Sequence, residues 1–153
     1  MRILVTGSAG FIGFHLIQQL LKRGDEVVGL DNFNDYYDPK LKEDRNAILE
    51  KLGGFTLIRG DILDTKTVDD AVKGVDRVVH LAALAGVRYA FDHPDEYISN
   101  NITGFFNVMD AVRRNSIDGL IYASSSSVYG GNEKLPFQED DRVDNPLSLY
   151  GAN

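Results

Sequence analysis

The sequence predicts an α/β fold in which a doubly wound parallel sheet is covered by helices on both faces. Short apolar runs alternate with amphipathic ones along the chain, and strands that are apolar throughout are typical of a sheet buried on both sides. Hydrophobic residues make up 43% of the 153 residues and charged residues 25%, which suits a packed core and argues against disorder. No repeat, linker or second domain is found, so we expect one domain over residues 1–153.

The order of the elements follows from periodicity and helix-end signals. Short apolar runs predict strands at residues 3–6, 26–30, 55–59, 77–81 and 120–124. Helices are expected at residues 11–23, at 38–52 with Pro39 in the first turn, and from Asp64 or Thr65 to residue 73. A long helix is expected at residues 94–114, and the final residues resemble the beginning of a helix that is cut off. We therefore expect the chain to be a fragment.

Charge and composition exclude several functions. The 16 basic and 23 acidic residues give a net charge of −7, which argues against binding to nucleic acid or to an anionic membrane. The chain has no cysteine, and its three histidines lie far apart, so no metal site is expected. No apolar stretch is long enough to span a bilayer, and glycines interrupt the apolar start of the chain. The sequence predicts a soluble cytoplasmic protein.

A glycine-rich turn between the first strand and the first helix is the strongest motif. Gly7, Gly10 and Gly13 have the spacing GxxGxxG, and Phe11 and Ile12 begin the helix. Glycine is needed where a turn is tight and where backbone approaches a pyrophosphate, while a helix N-terminus offers free N–H groups and partial positive charge. Glycines alone often mark ordinary turns. Their position between strand and helix favours a dinucleotide-binding site.

Acidic residues at the ends of two strands fit the adenosine half of such a ligand. Asp31 ends the second strand, where a carboxylate accepts hydrogen bonds from the adenine ribose. It would repel a 2′-phosphate by about 4 kcal/mol at 4 Å. No basic residue follows immediately and no compensating cation is expected, so NAD is favoured over NADP, with Asn32 adjacent. The alternative is an ordinary aspartate that ends a strand.

The ends of the third and fourth strands supply further candidates. Asp61 and Ile62 are expected beside the adenine, although Asp61 also fits a turn residue. Leu81, Ala82 and Ala83 end the fourth strand with mostly small side chains, which lets the backbone approach the dinucleotide. His80, just before them, is more simply explained as a hydrogen-bonded core histidine than as a catalyst.

The motifs together resemble one family. They lie in segments 6–13, 80–83, 100–104 and 124–130 and at Asp31, Asp61 and Tyr150. They are similar to the motifs of extended short-chain dehydrogenases/reductases of the NAD-dependent epimerase/dehydratase type, and the likeness covers the whole chain. Residues 31–42 are most similar to the UDP-glucuronate 4-epimerases. The resemblance implies a Rossmann-type NAD-binding domain whose C-terminal substrate domain is absent.

The resemblance also assigns roles to individual residues. Ser125 matches the serine that hydrogen-bonds the reacting sugar hydroxyl, and Tyr150 matches the general base of the YxxxK motif, which also contacts the cofactor. The family's lysine follows that tyrosine by four residues, and this sequence ends at Asn153, one position earlier. Catalysis by these 153 residues is therefore not expected. Read without the resemblance, the serines could form a solvated turn and Tyr150 could be a packing residue.

Four further residues are assigned less directly. Asn100 matches an asparagine near the nicotinamide, with Asn101 as its neighbouring candidate. Ser126 is expected to contact the substrate beside Ser125. Arg88 follows the fourth strand, where it could meet a carboxylate or diphosphate of the substrate, but a solvated arginine explains it equally well.

The resemblance implies a 4-epimerase of nucleotide sugars that uses NAD and acts on UDP-glucuronate or UDP-galacturonate through a transient 4-keto sugar, as a homodimer. Two alternatives stay open. A 4,6-dehydratase shares the fold, but that group carries an Asp-Glu pair where this sequence has Ser126 and Ser127. The other alternative is a non-catalytic module that only binds NAD(P).

Overall fold

A five-stranded parallel sheet forms the centre of the computed structural model, which describes residues 1–153. Its strands are β1 (Arg2–Thr6), β2 (Glu26–Asp31), β3 (Phe55–Arg59), β4 (Arg77–His80) and β5 (Leu120–Tyr122). They lie in the order β3-β2-β1-β4-β5. The chain therefore adds β2 and β3 on one side of β1 and then returns to add β4 and β5 on the other side. The carboxyl ends of β1 and β4 therefore flank a topological switch point, where open α/β sheets bind their ligands.

Seven α-helices connect or follow the strands. They are α1 (Phe11–Arg23), α2 (Pro39–Leu49), α3 (Thr65–Ala71), α4 (Val87–Asp92), α5 (Pro94–Tyr97), α6 (Phe105–Arg114) and α7 (Leu149–Ala152). The Asp38 and Asp64 side chains begin α2 and α3 by accepting the backbone N–H groups of Lys40 and Lys66, as N-caps do. None of the helices has the length and apolar character that crossing a bilayer requires.

Helices cover the sheet from both faces, in two separate apolar clusters. On one face α1 and α2 pack on β1 and β2 through Ile17, Leu20 and Leu49. On the other face α3 and α6 pack through residues such as Val68 and Val108. The strands alternate between the clusters because successive side chains point to opposite faces. The predicted doubly wound α/β fold is confirmed.

The predicted helix over residues 94–114 is wrong in one respect. A π-helical segment, Ile98–Gly104, separates α5 from α6. Within it, the Ser99 hydroxyl and the Asn100 amide donate to the carbonyls of Asp95 and Glu96. The wider turn brings Gly104 against Ile62, so close that a Cβ would lie 2.5 Å from the Ile62 Cδ1. The short helix α4 before this region was not predicted.

Candidate functional site

The glycine turn lies at the carboxyl edge of the sheet, between the ends of β1 and β2. The Gly7 and Ser8 N–H groups both donate to the Leu30 carbonyl, at 2.8 and 3.4 Å. Gly7 has φ +67°, and a Cβ there would lie 2.9 Å from the Ala82 nitrogen. A Cβ on Gly13 would lie 2.2 Å from the Gly7 carbonyl oxygen. The turn therefore admits no side chain at these positions, and its backbone is available to a ligand.

Helix α1 begins directly after this turn, with Gly10 as its N-cap. The first N–H groups of a helix have no intrahelical acceptor, and they carry partial positive charge. The Phe11 and Ile12 side chains point to solvent and are 65% and 64% exposed. The predicted anion-binding geometry is present in the backbone, with both side chains open to a neighbouring molecule.

Asp31 is buried at the end of β2, with a side chain that is 4% exposed. Its Oδ2 accepts the Ala9 N–H at 3.0 Å, and its Oδ1 accepts the Phe33 N–H at 2.9 Å. These two bonds fix the carboxylate beside the glycine turn. A carboxylate has about four acceptor positions, so both oxygens can still accept hydroxyl groups of a ligand.

A lysine that the sequence analysis did not single out lies beside Asp31. Lys42, on α2, is 7% exposed, and its Nζ is 3.6 Å from Asp31 Oδ1 and 2.6 Å from Asn34 Oδ1. The expectation that no cation compensates Asp31 is therefore wrong. The loop after β2 brings back a residue eleven positions along the chain, which a search of the immediately following residues cannot find.

Asp61, which the sequence analysis expects beside the adenine, follows the carboxyl end of β3. Asp61 Oδ2 accepts the Asn32 amide at 2.9 Å, and Oδ1 accepts the Leu63 N–H at 2.9 Å. Asp61 is therefore a turn residue with capacity for one more donor on each oxygen. Asn32 is exposed, while Ile62 is 6% exposed.

One cavity of about 120 Å³ joins most of these groups. It is lined by Gly7, Gly10, Leu30, Asp31, Asn32, Asn34, Tyr36, Tyr37, Lys42, Gly60, Ile62, Leu81, Ala82, Ala83, Leu84 and Asn100. Nine of the predicted cofactor residues are among them. Asp61 is not in the lining, although its hydrogen-bond partner Asn32 is.

His80 is a buried, hydrogen-bonded histidine, as the sequence analysis favoured. The Thr6 hydroxyl oxygen accepts the N–H groups of Leu81 and Ala82, each at 3.1 Å, and lies 2.8 Å from His80 Nδ1. With its lone pairs engaged, that hydroxyl donates its proton to Nδ1, which must be unprotonated. Burial also lowers the pKa of His80 to about 4. A neutral His80 thus holds the Leu81–Ala82 backbone beside the glycine turn.

A second cavity, of about 310 Å³, adjoins the first at Leu81, Ala82 and Ala83. It is lined by Ile12, His80, Leu81, Ala82, Ala83, Ala85, Asn101, Phe105, Tyr122, Ala123, Ser124, Ser125, Val128, Tyr150 and Asn153. Ser125 and Tyr150, 25 residues apart in sequence, are brought together here. The Ser125 Oγ also accepts the Ser127 N–H at 3.3 Å, which orients it at the start of a 3₁₀ turn, Ser126–Tyr129.

The two asparagines of the π-helical segment point to different cavities. Asn100 lines the cavity at Asp31, whereas Asn101 lines the cavity at Tyr150. The Asn101 side chain accepts the Leu84 N–H at 2.9 Å and donates to the Leu84 carbonyl at 3.0 Å. This pairing is possible because the wide helical turn faces the loop after β4. A match to the family motif therefore does not predict which of the two side-chain amides, that of Asn100 or that of Asn101, lines which cavity.

Two other predicted substrate residues lie outside the cavity linings. Arg88 is exposed on α4, and it makes no ion pair or side-chain hydrogen bond. Ser126 is exposed in the 3₁₀ turn. Neither residue is among those that line the two cavities.

Tyr36 connects the two loops that flank β1. It belongs to the loop after β2, and its hydroxyl donates to the Ala85 carbonyl in the loop after β4, at 2.6 Å. Its ring also meets Tyr89 edge to face at 5.0 Å. The Tyr97 hydroxyl donates to the same carbonyl at 2.8 Å. Since β2 and β4 lie on either side of β1, this contact joins the loops that follow the two neighbours of β1.

The donor set fits an organic ligand with phosphate and ribose groups. No group of three His, Cys, Asp or Glu side chains could hold a metal ion. The site offers backbone N–H groups at a helix start, one buried carboxylate with a lysine, and a serine and a tyrosine in an adjoining cavity. This arrangement can bind a dinucleotide and move a proton at a hydroxyl group.

Comparison with known proteins agrees with this geometry. The family model described as "NAD dependent epimerase/dehydratase family" matches residues 3–153. The chain is 51% identical to UDP-glucuronate 4-epimerase 4 of Arabidopsis thaliana over 98% of its own length and 35% of the plant protein. Among solved structures, the chain is similar to UDP-glucuronic acid 4-epimerase of Bacillus cereus, solved in complex with UDP-glucuronic acid and NAD. The two are 41% identical with a TM-score of 0.90, and the match covers 99% of this chain and 48% of the Bacillus cereus chain.

A dehydratase shares the fold at greater sequence distance. The dTDP-glucose 4,6-dehydratase of Streptomyces venezuelae, as a double mutant with NAD bound, is 28% identical, with a TM-score of 0.89 over 99% of this chain and 48% of that one. The chain spans a third to a half of the length of the curated relatives it matches.

Proposed function

The chain belongs to the NAD-dependent epimerase/dehydratase family, and on that basis we propose that it is the NAD-binding part of a nucleotide-sugar 4-epimerase. The whole protein's activity and substrate belong to the proposal, because the chain spans only part of its relatives' length. Of the possible sugars we favour the UDP-glucuronate and UDP-galacturonate pair. Identity is 51% to a plant UDP-glucuronate 4-epimerase and 28% to the dehydratase.

One observation carries the proposal: Ser125 and Tyr150 share a cavity that adjoins the cavity of Asp31 and the glycine turn. A dinucleotide has two ends that need two adjoining pockets. The pocket with the ribose carboxylate suits the adenosine end, and the pocket with the two hydroxyl groups suits the reactive end. Leu81, Ala82 and Ala83 form the shared wall.

The residues present fit NAD. Side-chain-free backbone at Gly7 and Gly13, where a Cβ would collide with neighbouring backbone, leaves room for a pyrophosphate at the start of α1. Asp31 is buried beside that turn with acceptor capacity remaining. NAD, when bound, supplies reversible oxidation at the sugar C4.

The chain's own hydroxyl groups then have distinct tasks. Tyr150 takes a proton from the sugar 4-hydroxyl and returns it after the sugar has turned over, which is general base and general acid catalysis by one group. Ser125, held by its bond to the Ser127 N–H, hydrogen-bonds the same hydroxyl and fixes its position. Ser126 and Arg88, both exposed, are proposed to contact the substrate's polar end.

The remaining parts of the proposal concern partners and location. A homodimer is supported by four exposed apolar side chains at helical spacing on the α5–α6 region. They are Ile98, Ile102, Phe106 and Met109, between 41% and 55% exposed. Exposed apolar groups in such a stripe favour association. A protein without nucleic-acid partners is proposed from the net charge of −7, and a cytoplasmic location is proposed because a chain without cysteine suits a reducing compartment.

The test is a substitution in the whole protein. Tyr150→Phe removes only the hydroxyl, so epimerisation of UDP-glucuronate should fall by about 10²- to 10⁴-fold while NAD stays bound. The matched control is Tyr129→Phe, because the Tyr129 hydroxyl donates to the Gln138 carbonyl on an exposed loop and Tyr129 lines neither cavity. Near-normal turnover by the Tyr150→Phe variant would show that another residue moves the proton.

A further inference from the structure

Lys42 is a buried cation inside the cavity that the proposed function assigns to the adenine ribose. Its side chain is 7% exposed, and lysine is almost never buried at this level without a partner. Its neighbours are the side-chain oxygen Oδ1 of Asn34 at 2.6 Å and Asp31 Oδ1 at 3.6 Å. An ammonium has three donors, so one hydrogen bond and one longer ion pair leave donor capacity unused.

The pair changes the electrostatics of the ribose pocket. A lone buried carboxylate would repel any phosphate strongly, but Asp31 and Lys42 together carry no net charge. A ligand atom that hydrogen-bonds Asp31 Oδ1 at about 2.8 Å lies within about 6.4 Å of Lys42 Nζ, given the 3.6 Å between the two groups. A phosphate on that atom would reach both the repelling carboxylate and the attracting ammonium.

We propose that Lys42 is a specificity-determining residue of the ribose pocket. Its ammonium is a latent binding site for a 2′-phosphate, and the ion pair with Asp31 keeps that ammonium engaged. With Asp31 charged, the ammonium is engaged and NAD is preferred. When the charge of Asp31 is removed, Lys42 becomes an uncompensated buried cation, which is costly unless an anion joins it. A phosphate monoester on the ribose is the anion that this pocket would then take.

The surroundings of Lys42 support a pre-positioned ammonium. The Asn34 bond holds the Nζ from one side, and the Tyr37 ring lies 5.3 Å from it on another, within the range of a cation–π contact. Lys42 is on the regular helix α2, and Asn34 and Tyr37 are in the loop before it. The ammonium therefore keeps its place when the negative charge of Asp31 is removed.

This inference depends on the proposed dinucleotide binding, and the experiment separates the two. Five forms of the purified whole protein are compared by calorimetry: wild type, Asp31→Asn, Lys42→Met, the double variant of these two substitutions and, as its matched control, Asp31→Asn with Lys42→Arg. The ligands are NAD, NADP, ADP and adenosine 2′,5′-bisphosphate, so that the last two probe the adenosine pocket alone. If wild type binds neither NAD nor ADP, the proposed function fails, whatever Lys42 does.

The expected result is a change in ligand preference. Wild type should bind NAD at least about tenfold more tightly than NADP, equivalent to 1.4 kcal/mol. Asp31→Asn should lower the ratio of NAD affinity to NADP affinity by about tenfold or more. The double variant with Lys42→Met should lose this relative gain in NADP affinity. Asp31→Asn combined with Lys42→Arg, which keeps a cation, should retain part of it. Equal NADP affinity in Asp31→Asn and in the double variant would overturn the assignment.

A second comparison covers the case in which Asp31→Asn does not fold, as judged by urea unfolding. Lys42→Met alone should weaken adenosine 2′,5′-bisphosphate by about threefold or more relative to ADP, because only the former places an anion near the ammonium. Equal weakening of the two ligands would mean that Lys42 only supports the loop through Asn34, and the proposal would be wrong.

Discussion

Acidification should destabilise the protein through His80, and the structure gives the magnitude. The pKa of His80 is lowered by burial from 6.5 to about 4, so between these pH values the unfolded chain binds a proton that the folded chain excludes. Stability from the neutral His80 is then fully present above pH 6.5 and is lost as the pH falls from 6.5 to 4. A difference of about 2.5 pH units corresponds to about 3 kcal/mol.

The assay is urea unfolding of wild type and His80→Gln between pH 7.5 and 4. Effects of the carboxylates cancel in the difference between the two proteins. We expect wild type to lose about 3 kcal/mol more than His80→Gln over this range, and His15→Gln, at an exposed position, to behave like wild type. Parallel pH curves for wild type and His80→Gln would refute the neutral histidine and the direction of the Thr6 hydrogen bond.

Two further predictions concern the glycine turn and the loop contact above it. Gly13→Ala places a Cβ 2.2 Å from the Gly7 carbonyl oxygen, so it should lower the free energy of unfolding in urea by about 2 kcal/mol and weaken NAD binding in calorimetry. The control is Gly53→Ala, which has open space around it and should change neither quantity. Tyr36→Phe removes the bond to Ala85, worth about 1 kcal/mol, so stopped-flow displacement should show NAD leaving about fivefold faster. An unchanged rate would mean that the two loops do not close over the ligand.

The sheet and its ligand edge were predictable because their signals are local. Each strand is a continuous apolar run, and the glycine turn and Asp31 follow β1 and β2 directly, so their place at the carboxyl edge is a matter of strand direction. All five predicted strands are present; β3 has the predicted bounds, and the others differ from them by one or two residues at one end. Pro39 in the first turn of α2 is also as predicted, and Asp64 is the cap of α3 out of the two residues that the sequence offered, since these signals depend on the adjacent backbone alone.

The parts that sequence could not predict depend on contacts between distant segments. Lys42 reaches Asp31 only because the loop after β2 folds back. The π-helical segment has no periodicity signal of its own, since one wide turn shifts the pattern by a single residue. Asn100 and Asn101 consequently point to different cavities. Arg88 is the opposite case. Its place in the sequence after β4 predicted a residue near the site, but it is an exposed side chain on α4, a helix that was not predicted.

The central claim is that these residues form the NAD-binding part of a UDP-uronate 4-epimerase. Its most direct test is incubation of the whole protein with UDP-glucuronate in D₂O, followed by NMR of the sugar C4. We predict that UDP-galacturonate forms without added dinucleotide being consumed. C4 should keep its hydrogen, because the hydride removed from C4 in the oxidation is returned to C4 in the reduction, while Tyr150 exchanges only the hydroxyl proton with solvent. An unchanged C4 configuration with NAD bound, or deuterium at C4, would contradict the account.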